Sequence, residues 1–284
     1  MMSRKVLIVA VCAVGVGTYA CVTAIRNSVN MLHKVAQSVP KGSIDLSRII
    51  DSAGLQGSGR LASKSYALDS FDSITAGPSI VLNCRIGSPQ TVKVSADDNL
   101  LPYMEISVDD GSLKIESSRP FSTSHRIQVD VTVPSLKALT LSGASTGKVG
   151  GVSSSSFDLD LSGASHCDLD GQLGALDAEI TGSSSATING GTLTKLTLEC
   201  SGASNLTATG SATSLDLDIS GASGADLKGL QAKDAAIDVS GASWCDLKAS
   251  GEVSGDASGA SRVTAVGGPK MSVDSSGFSS VNAS

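Results

Sequence analysis

The stretch Leu196-Thr197-Leu198-Glu199-Cys200-Ser201-Gly202-Ala203-Ser204-Asn205-Leu206-Thr207-Ala208 decides the fold. Its apolar residues fall at 196, 198 and 200, stop at a Ser-Gly-Ala-Ser tetrapeptide, and resume at 206 and 208. Period-two alternation marks a strand with one buried face, so the segment reads as strand, tight bend, strand. The same unit recurs along the chain. The tetrapeptide or a close variant begins at Ser142, Ser162, Thr181, Ser201, Ser220, Ser240, Ser258 and Ser276, with spacings of 18 to 20 residues. One position before it stand Leu141, Leu161, Ile180, Cys200, Ile219, Val239, Ala257 and Ser275; three before stand Leu139, Leu159, Ala178, Leu198, Leu217, Ile237, Gly255 and Val273. After it, Cys167, Ala186, Leu206, Ala225, Cys245 and Val263 share one inward column, and Val149, Leu169, Ile188, Ala208, Leu227, Leu247 and Ala265 share the next. A glycine then recurs at 151, 171, 190, 210, 229 and 267, read as a turn.

A repeat this short cannot hold a four-stranded propeller blade, and it lacks the helical half of a leucine-rich repeat. The expectation is all-β: a right-handed parallel β-helix of about eight coils over residues 136–284. At the bend each residue meets its own copies above and below. Glycine permits a left-handed backbone there, the following Ala is expected to point inward at the corner, and the serines to bond along the stack. No His or Lys recurs beside these serines, since His166 and Lys148 each occur once, so a catalytic serine is not expected.

Composition agrees with a stack of small side chains. The 284 residues include 31 Gly, 7 Pro and 50 Ser but only 8 aromatics. Residues 1–60 carry seven Lys/Arg against two Asp, whereas residues 61–284 carry 14 against 25. An acidic body with few aromatics neither attracts phosphate backbones nor stacks bases, which argues against nucleic acid as a partner. The cysteines, Cys12, Cys21, Cys84, Cys167, Cys200 and Cys245, form no CxxC pair and no zinc spacing. Cys167 and Cys245 are four coils apart, about 19 Å at the usual strand spacing and too far for a disulfide, so they and Cys200 read as buried free thiols.

Arg4 and Lys5 precede an uncharged run from Val6 to Ile25, closed by Arg26. Twenty such residues can span a bilayer. Residues 1–26 therefore read as a signal anchor or a cleaved signal peptide, with lipid attachment at Cys21 a third route, and each exports the body. In 27–65, Val29, Leu32, Val35 and Ala36 suggest a short juxtamembrane helix, and 51–65 read as a Gly/Ser linker. Residues 66–135 contain short alternating strands, among them Ile127-Gln128-Val129-Asp130-Val131-Thr132-Val133, and Asp110-Gly111 signals a hairpin.

The segment Phe71 to Thr75, the stretch Ala96-Asp97-Asp98-Asn99-Leu100-Leu101, the pair Asp110-Gly111 with Leu113-Lys114-Ile115, and Val133-Pro134-Ser135-Leu136-Lys137-Ala138-Leu139 leading into Leu141-Ser142-Gly143-Ala144-Ser145 resemble the putative auto-transporter adhesin head GIN-domain family. The resemblance covers about residues 66–284. It implies an exported β-helical envelope domain with an adhesin-like role and brings no catalytic residues.

Two positions before the motif an outward column is acidic: Asp160, Glu179, Glu199, Asp218, Asp238, Asp256 and Asp274. Stacked like charges repel, which suits solubility and protection against sheet association; a weak Ca²⁺ or cationic-partner face is the functional alternative. Trp244 shares a column with His166, Asn205 and Arg262, and reads as surface filler or a sugar platform. The resulting expectation is a non-enzymatic protein anchored in the cell envelope, serving adhesion or scaffolding, without cofactor or catalytic residues, contacting the membrane through its N-terminal helix and a surface glycan or protein through its body. A carbohydrate-active β-helix enzyme is the alternative, although no coil has room for the long loops that build a cleft.

Overall fold

The computed structural model describes residues 54–189 and 191–284. The expected membrane segment at 1–26, the juxtamembrane helix, Cys12 and Cys21 lie outside these residues. Among the described residues no helix is long and apolar enough to cross a membrane.

The described chain is built from strands joined by tight bends. They are β1 (Leu55–Gln56), β2 (Leu61–Tyr66), β3 (Ser73–Ala76), β4 (Ile80–Ile86), β5 (Thr91–Asp97), β6 (Met104–Asp109) and β7 (Ser112–Ser117). There follow β8 (Phe121–Ser122), β9 (Ile127–Val133), β10 (Ala138–Leu141), β11 (Thr146–Leu161), β12 (His166–Ile180), β13 (Ser185–Asn189) and β14 (Thr192–Cys200). The last are β15 (Asn205–Ile219), β16 (Gly224–Val239), β17 (Trp244–Ala249), β18 (Glu252–Ala257), β19 (Arg262–Val266), β20 (Lys270–Ser275) and β21 (Ser280–Ala283). β1 and β8 form a small parallel pair of their own. The other nineteen strands make one continuous sheet in a second unit.

That sheet winds as a β-solenoid of about seven turns, one fewer than the eight coils expected from the motif count. Equivalent residues stack in parallel register: Leu159 lies on Leu139, Leu196 on Leu176 and Leu217 on Leu198. The inward columns are almost wholly buried from Leu139 to Val263, and Phe157 is the one large ring among them. Small side chains suffice because the rungs lie only about 4.8 Å apart.

The strands of residues 66–135 join this sheet rather than forming a separate layer. β3 and β4 pair in parallel with β10 and β11 on one side and with β7 and β9 on the other. A chain-later rung therefore lies beneath a chain-earlier one. Antiparallel strands close this end: β6 pairs with β7, β5 with β9, and β2 with β5. The expected hairpin is the β6–β7 turn, where Asp110 and Gly111 both take positive φ, 48° and 75°. β2 occupies part of the stretch read as linker. Its side chains are mostly exposed, so its pairing with β5 rests on backbone bonds that leave no apolar period to read.

Two details of the repeat also differ from the sequence reading. Of the recurring glycines read as turns, Gly151, Gly171, Gly210 and Gly229 lie within continuous strands, whereas Gly267 follows the end of β19 as a turn residue would. Within those continuous strands the register slips by a residue or more, as between Gly150 and Val152 and between Leu227 and Gln231, which makes a bulge that bends the strand instead of a turn. At the tetrapeptide corner the inward residue is the final serine, not the Ala. Ser145, Ser165, Ser184, Ser204, Ser223, Ser243 and Ser261 are all buried, whereas Ala164, Ala203, Ala222, Ala242 and Ala260 are exposed. At Ser165 and Ser204 the hydroxyl closes the bend: Ser204 Oγ donates to Ser201 O at 2.8 Å, and the Ser204 N–H donates to Ser223 Oγ of the next rung at 3.3 Å, whereas the Ser243 and Ser261 hydroxyls are buried without a partner among the described residues. Glycine is required for the reason expected. Gly202 has φ +83°, and a Cβ on it would sit 2.5 Å from Gly182 O in the rung below.

Candidate functional site

Outward residues after the bend line up across the whole sheet. Lys93, Asp130, Asn83, Lys148, Asp168, Thr187, Thr207, Asp226, Asp246, Thr264 and Asn282 form one row, each opposite the next. Beside it runs the row His166, Ser185, Asn205, Gly224, Trp244, Arg262 and Ser280. Register stacking turns residues about nineteen apart in sequence into neighbours on a rigid face.

Trp244 is the organising side chain. Its indole lies over Gly224, where a Cβ would come within 2.2 Å of Cε2 and 2.4 Å of Nε1. The ring thus rests against the sheet because the rung below has no side chain. The Arg262 guanidinium is 6.0 Å from the ring centroid. Lys228 Nζ reaches Asp246 Oδ2 at 3.1 Å and Asp226 Oδ1 at 3.8 Å. The hydrogen bond and charge of Asp246 hold the Lys228 ammonium above the ordinary lysine range. Asp246 Oδ1, in contrast, is buried and accepts no hydrogen bond. An aromatic face beside the Lys228–Asp246 ion pair can stack a pyranose ring or an aromatic side chain, and the half-exposed Lys228 ammonium can donate to a hydroxyl. His166, in the same column, has both ring nitrogens engaged, Nδ1 with Ser185 Oγ at 2.8 Å and Nε2 with Asp168 Oδ1 at 3.2 Å.

The acidic column is a single row: Asp160 opposes Glu179, then Glu199, Asp218, Asp238, Asp256 and Asp274 follow in register, with Thr140 opening it. Each carboxylate projects from its own rung. Among the described residues no group of three or more His, Cys, Asp or Glu is placed to hold a metal ion. The thiols of Cys84, Cys167, Cys200 and Cys245 are free and buried in the core. Burial pushes Cys84, Cys167 and Cys245 up to about 12 and Cys200 up to about 11, so none is a nucleophile at neutral pH.

Sequence reasoning missed a second cluster, at the capped end. The Asp97 carboxylate is buried yet accepts from Thr123 Oγ1 at 2.6 Å and lies 2.8 Å from His125 Nδ1. Burial raises its pKa, but the bonds from Thr123, His125 and the Gly59 backbone outweigh this and hold it below the usual carboxylate value. Gly57 packs directly on it, since a Cβ there would come within 1.9 Å of Oδ2. Ser58 and Arg60 bind Asp98, and the Ser58 N–H donates to Asn99 Oδ1. The cluster therefore pins the Gly57–Arg60 strap. It is not a nucleophile relay, because the Thr123 hydroxyl gives its proton to Asp97 and not to His125. Its members are 26 and 28 residues apart without any period; only the Asp97-Asp98-Asn99 string is visible in sequence. Nearby, Tyr66, Arg85, Lys93, Asp130 and Lys148 line a shallow groove of about 1000 Å³.

Comparison with known proteins agrees with this architecture. The chain aligns with the crystal structure of a putative adhesin from Parabacteroides distasonis at 22% identity and TM-score 0.75, over 81% of this chain and 99% of that one. A putative adhesin from Parabacteroides merdae aligns at 19% identity and TM-score 0.76, over 81% and 98%. A putative lipid binding protein from Parabacteroides distasonis aligns at 16% and 0.72, over 81% and 99%. At these identities the likeness is one of fold. No curated protein matches the chain. The family model described as putative auto-transporter adhesin, head GIN domain, matches residues 70–269. By that match, which spans most of the chain, the protein belongs to the auto-transporter adhesin head GIN-domain family.

Proposed function

We propose that this chain is a non-enzymatic protein of the cell envelope, membrane-anchored at its N-terminus, whose exported right-handed β-helix offers the Trp244 face to a surface glycan. The observation that carries the reading is the pairing of an indole seated on Gly224 with the half-exposed Lys228 ammonium that Asp246 holds beside it. Stacked rungs hold both groups in place before a ligand arrives, so little ordering entropy is lost on binding. Family membership supports the adhesin-like role, and the uncharged run Val6 to Ile25 supports export.

The chain has one tryptophan, so its emission reports this face alone. Titrating the full-length protein in mild detergent with chitohexaose and with maltohexaose is expected to shift Trp244 emission with at least one of them, and to leave it unmoved by glucose. Asp246→Ala should weaken the response on the order of tenfold, and Trp244→Ala should weaken retention on the immobilised sugar at least as much. Flat emission with both hexasaccharides, or undiminished retention of Trp244→Ala, would remove the glycan reading.

A further inference from the structure

The two ends of the solenoid are finished differently. At the β7–β9 end antiparallel strands cover the last rung. At the other end, among the described residues, β20 pairs only with β18 and β21 only with β19, leaving one edge of each uncovered. Among the described residues no further rung covers the inward side chains there: Val253 is fully buried, whereas Met271 and Val273 in the next rung are partly exposed and Phe278 at the corner is 93% exposed.

The backbone says which groups face out. Lys270 N–H donates to Gly251 O at 2.8 Å and Ser276 N–H to Ala257 O at 2.9 Å, so the even residues of β20 bond inward. By strand alternation Met271, Val273 and Ser275 direct their N–H and C=O groups at the open edge. Such an edge is a template for another strand.

We propose that β20 pairs antiparallel with β20 of a second copy of this chain, about a two-fold axis at Ser272. Antiparallel self-pairing must set inward residues opposite inward ones, so the axis passes through a residue. With the axis at Ser272, Met271 and Val273 of the two copies exchange both backbone bonds and bring apolar side chains together. Lys270 then faces the partner's Asp274, and Asp274 the partner's Lys270, giving two opposite-charge pairs. Shifting the axis to Val273 sets Asp274 against Ser272 and loses both ion pairs. Shifting it to Met271 places Pro269, which lacks an N–H, opposite Val273. Apolar pattern requires an axis through a residue, the charges and the missing Pro269 N–H select Ser272 among these, and the two-fold makes the contact self-limiting. The pairing is independent of the Trp244 reading.

Sedimentation of the full-length chain in mild detergent, with detergent mass subtracted, tests it. The expected result is a dimer that Lys270→Asp or Asp274→Lys weakens at least tenfold and that the double swap Lys270→Asp/Asp274→Lys restores, since it re-forms both pairs. Ser272→Cys should cross-link to its own copy under mild oxidation, because non-hydrogen-bonded partners place Cα atoms about 4.5 Å apart, within disulfide reach. Ser254→Cys, one rung below, should not. A monomer at all concentrations, a dimer indifferent to the charge changes, a double swap as weak as either single change, or equal cross-linking through position 254 would overturn it.

Discussion

Within the repeated tetrapeptide, each residue answers a different constraint. Gly202 carries both a left-handed φ and a backbone contact with the rung below, so Gly202→Ala is expected to cost roughly 1 to 3 kcal/mol. Ala203 points to solvent, and Ala203→Leu should stay within roughly 0.5 kcal/mol of the parent. Thermal denaturation of the two variants checks the assignment; equal losses would mean that the corner is wrongly oriented. Sequence alone inverted the last two positions of this corner. Ala and Ser are both small, and the usual preference of apolar over polar groups for the interior favours Ala. What decides is the bond from Ser204 Oγ to Ser201 O, which no periodicity displays.

The acidic column belongs to the strands that carry it. In parallel register Glu199 and Asp218 project side by side, and among the described residues neither forms an ion pair. Glu199→Gln with Asp218→Asn is expected to raise Tm at low salt by about one degree, a gain that shrinks as added NaCl screens the row. If the row instead takes Ca²⁺, millimolar CaCl₂ stabilises the parent beyond matched ionic strength and the double variant loses that gain; calorimetry in the two salts separates the outcomes. The columns were legible in sequence because every strand repeats the same alternation at nearly constant spacing. The capped end was not. β3 meets β7 across about forty residues and the Asp97 cluster joins three separate segments, so no local pattern announces either.

Across the molecule the thiols share one fate. Cys84, Cys167, Cys200 and Cys245 sit in successive parts of the same core, with pKa values of about 11 to 12 against 9.0 when exposed. Below pH 9 folded and unfolded chains hold these protons equally, and burial has no pH-dependent effect. Above it the unfolded chain releases protons that the folded chain retains, so stability falls as pH rises from about 9 toward 12. Urea midpoints between pH 8 and 10.5 should therefore decline, and Cys245→Ala should make the decline shallower; an unchanged slope would show that this thiol ionises in place.

The inverted order of the first rungs sets a timetable for a chain that emerges from its N-terminus. β3 and β4 appear early but remain unsupported on one side until β9 is out at Val133 and on the other until β11 follows. From there each further span of about nineteen residues completes a rung on a template already in place. A chain that folds as it emerges is thus expected to make a delayed start and then to add rungs one at a time, each finished rung serving as the template that holds the next.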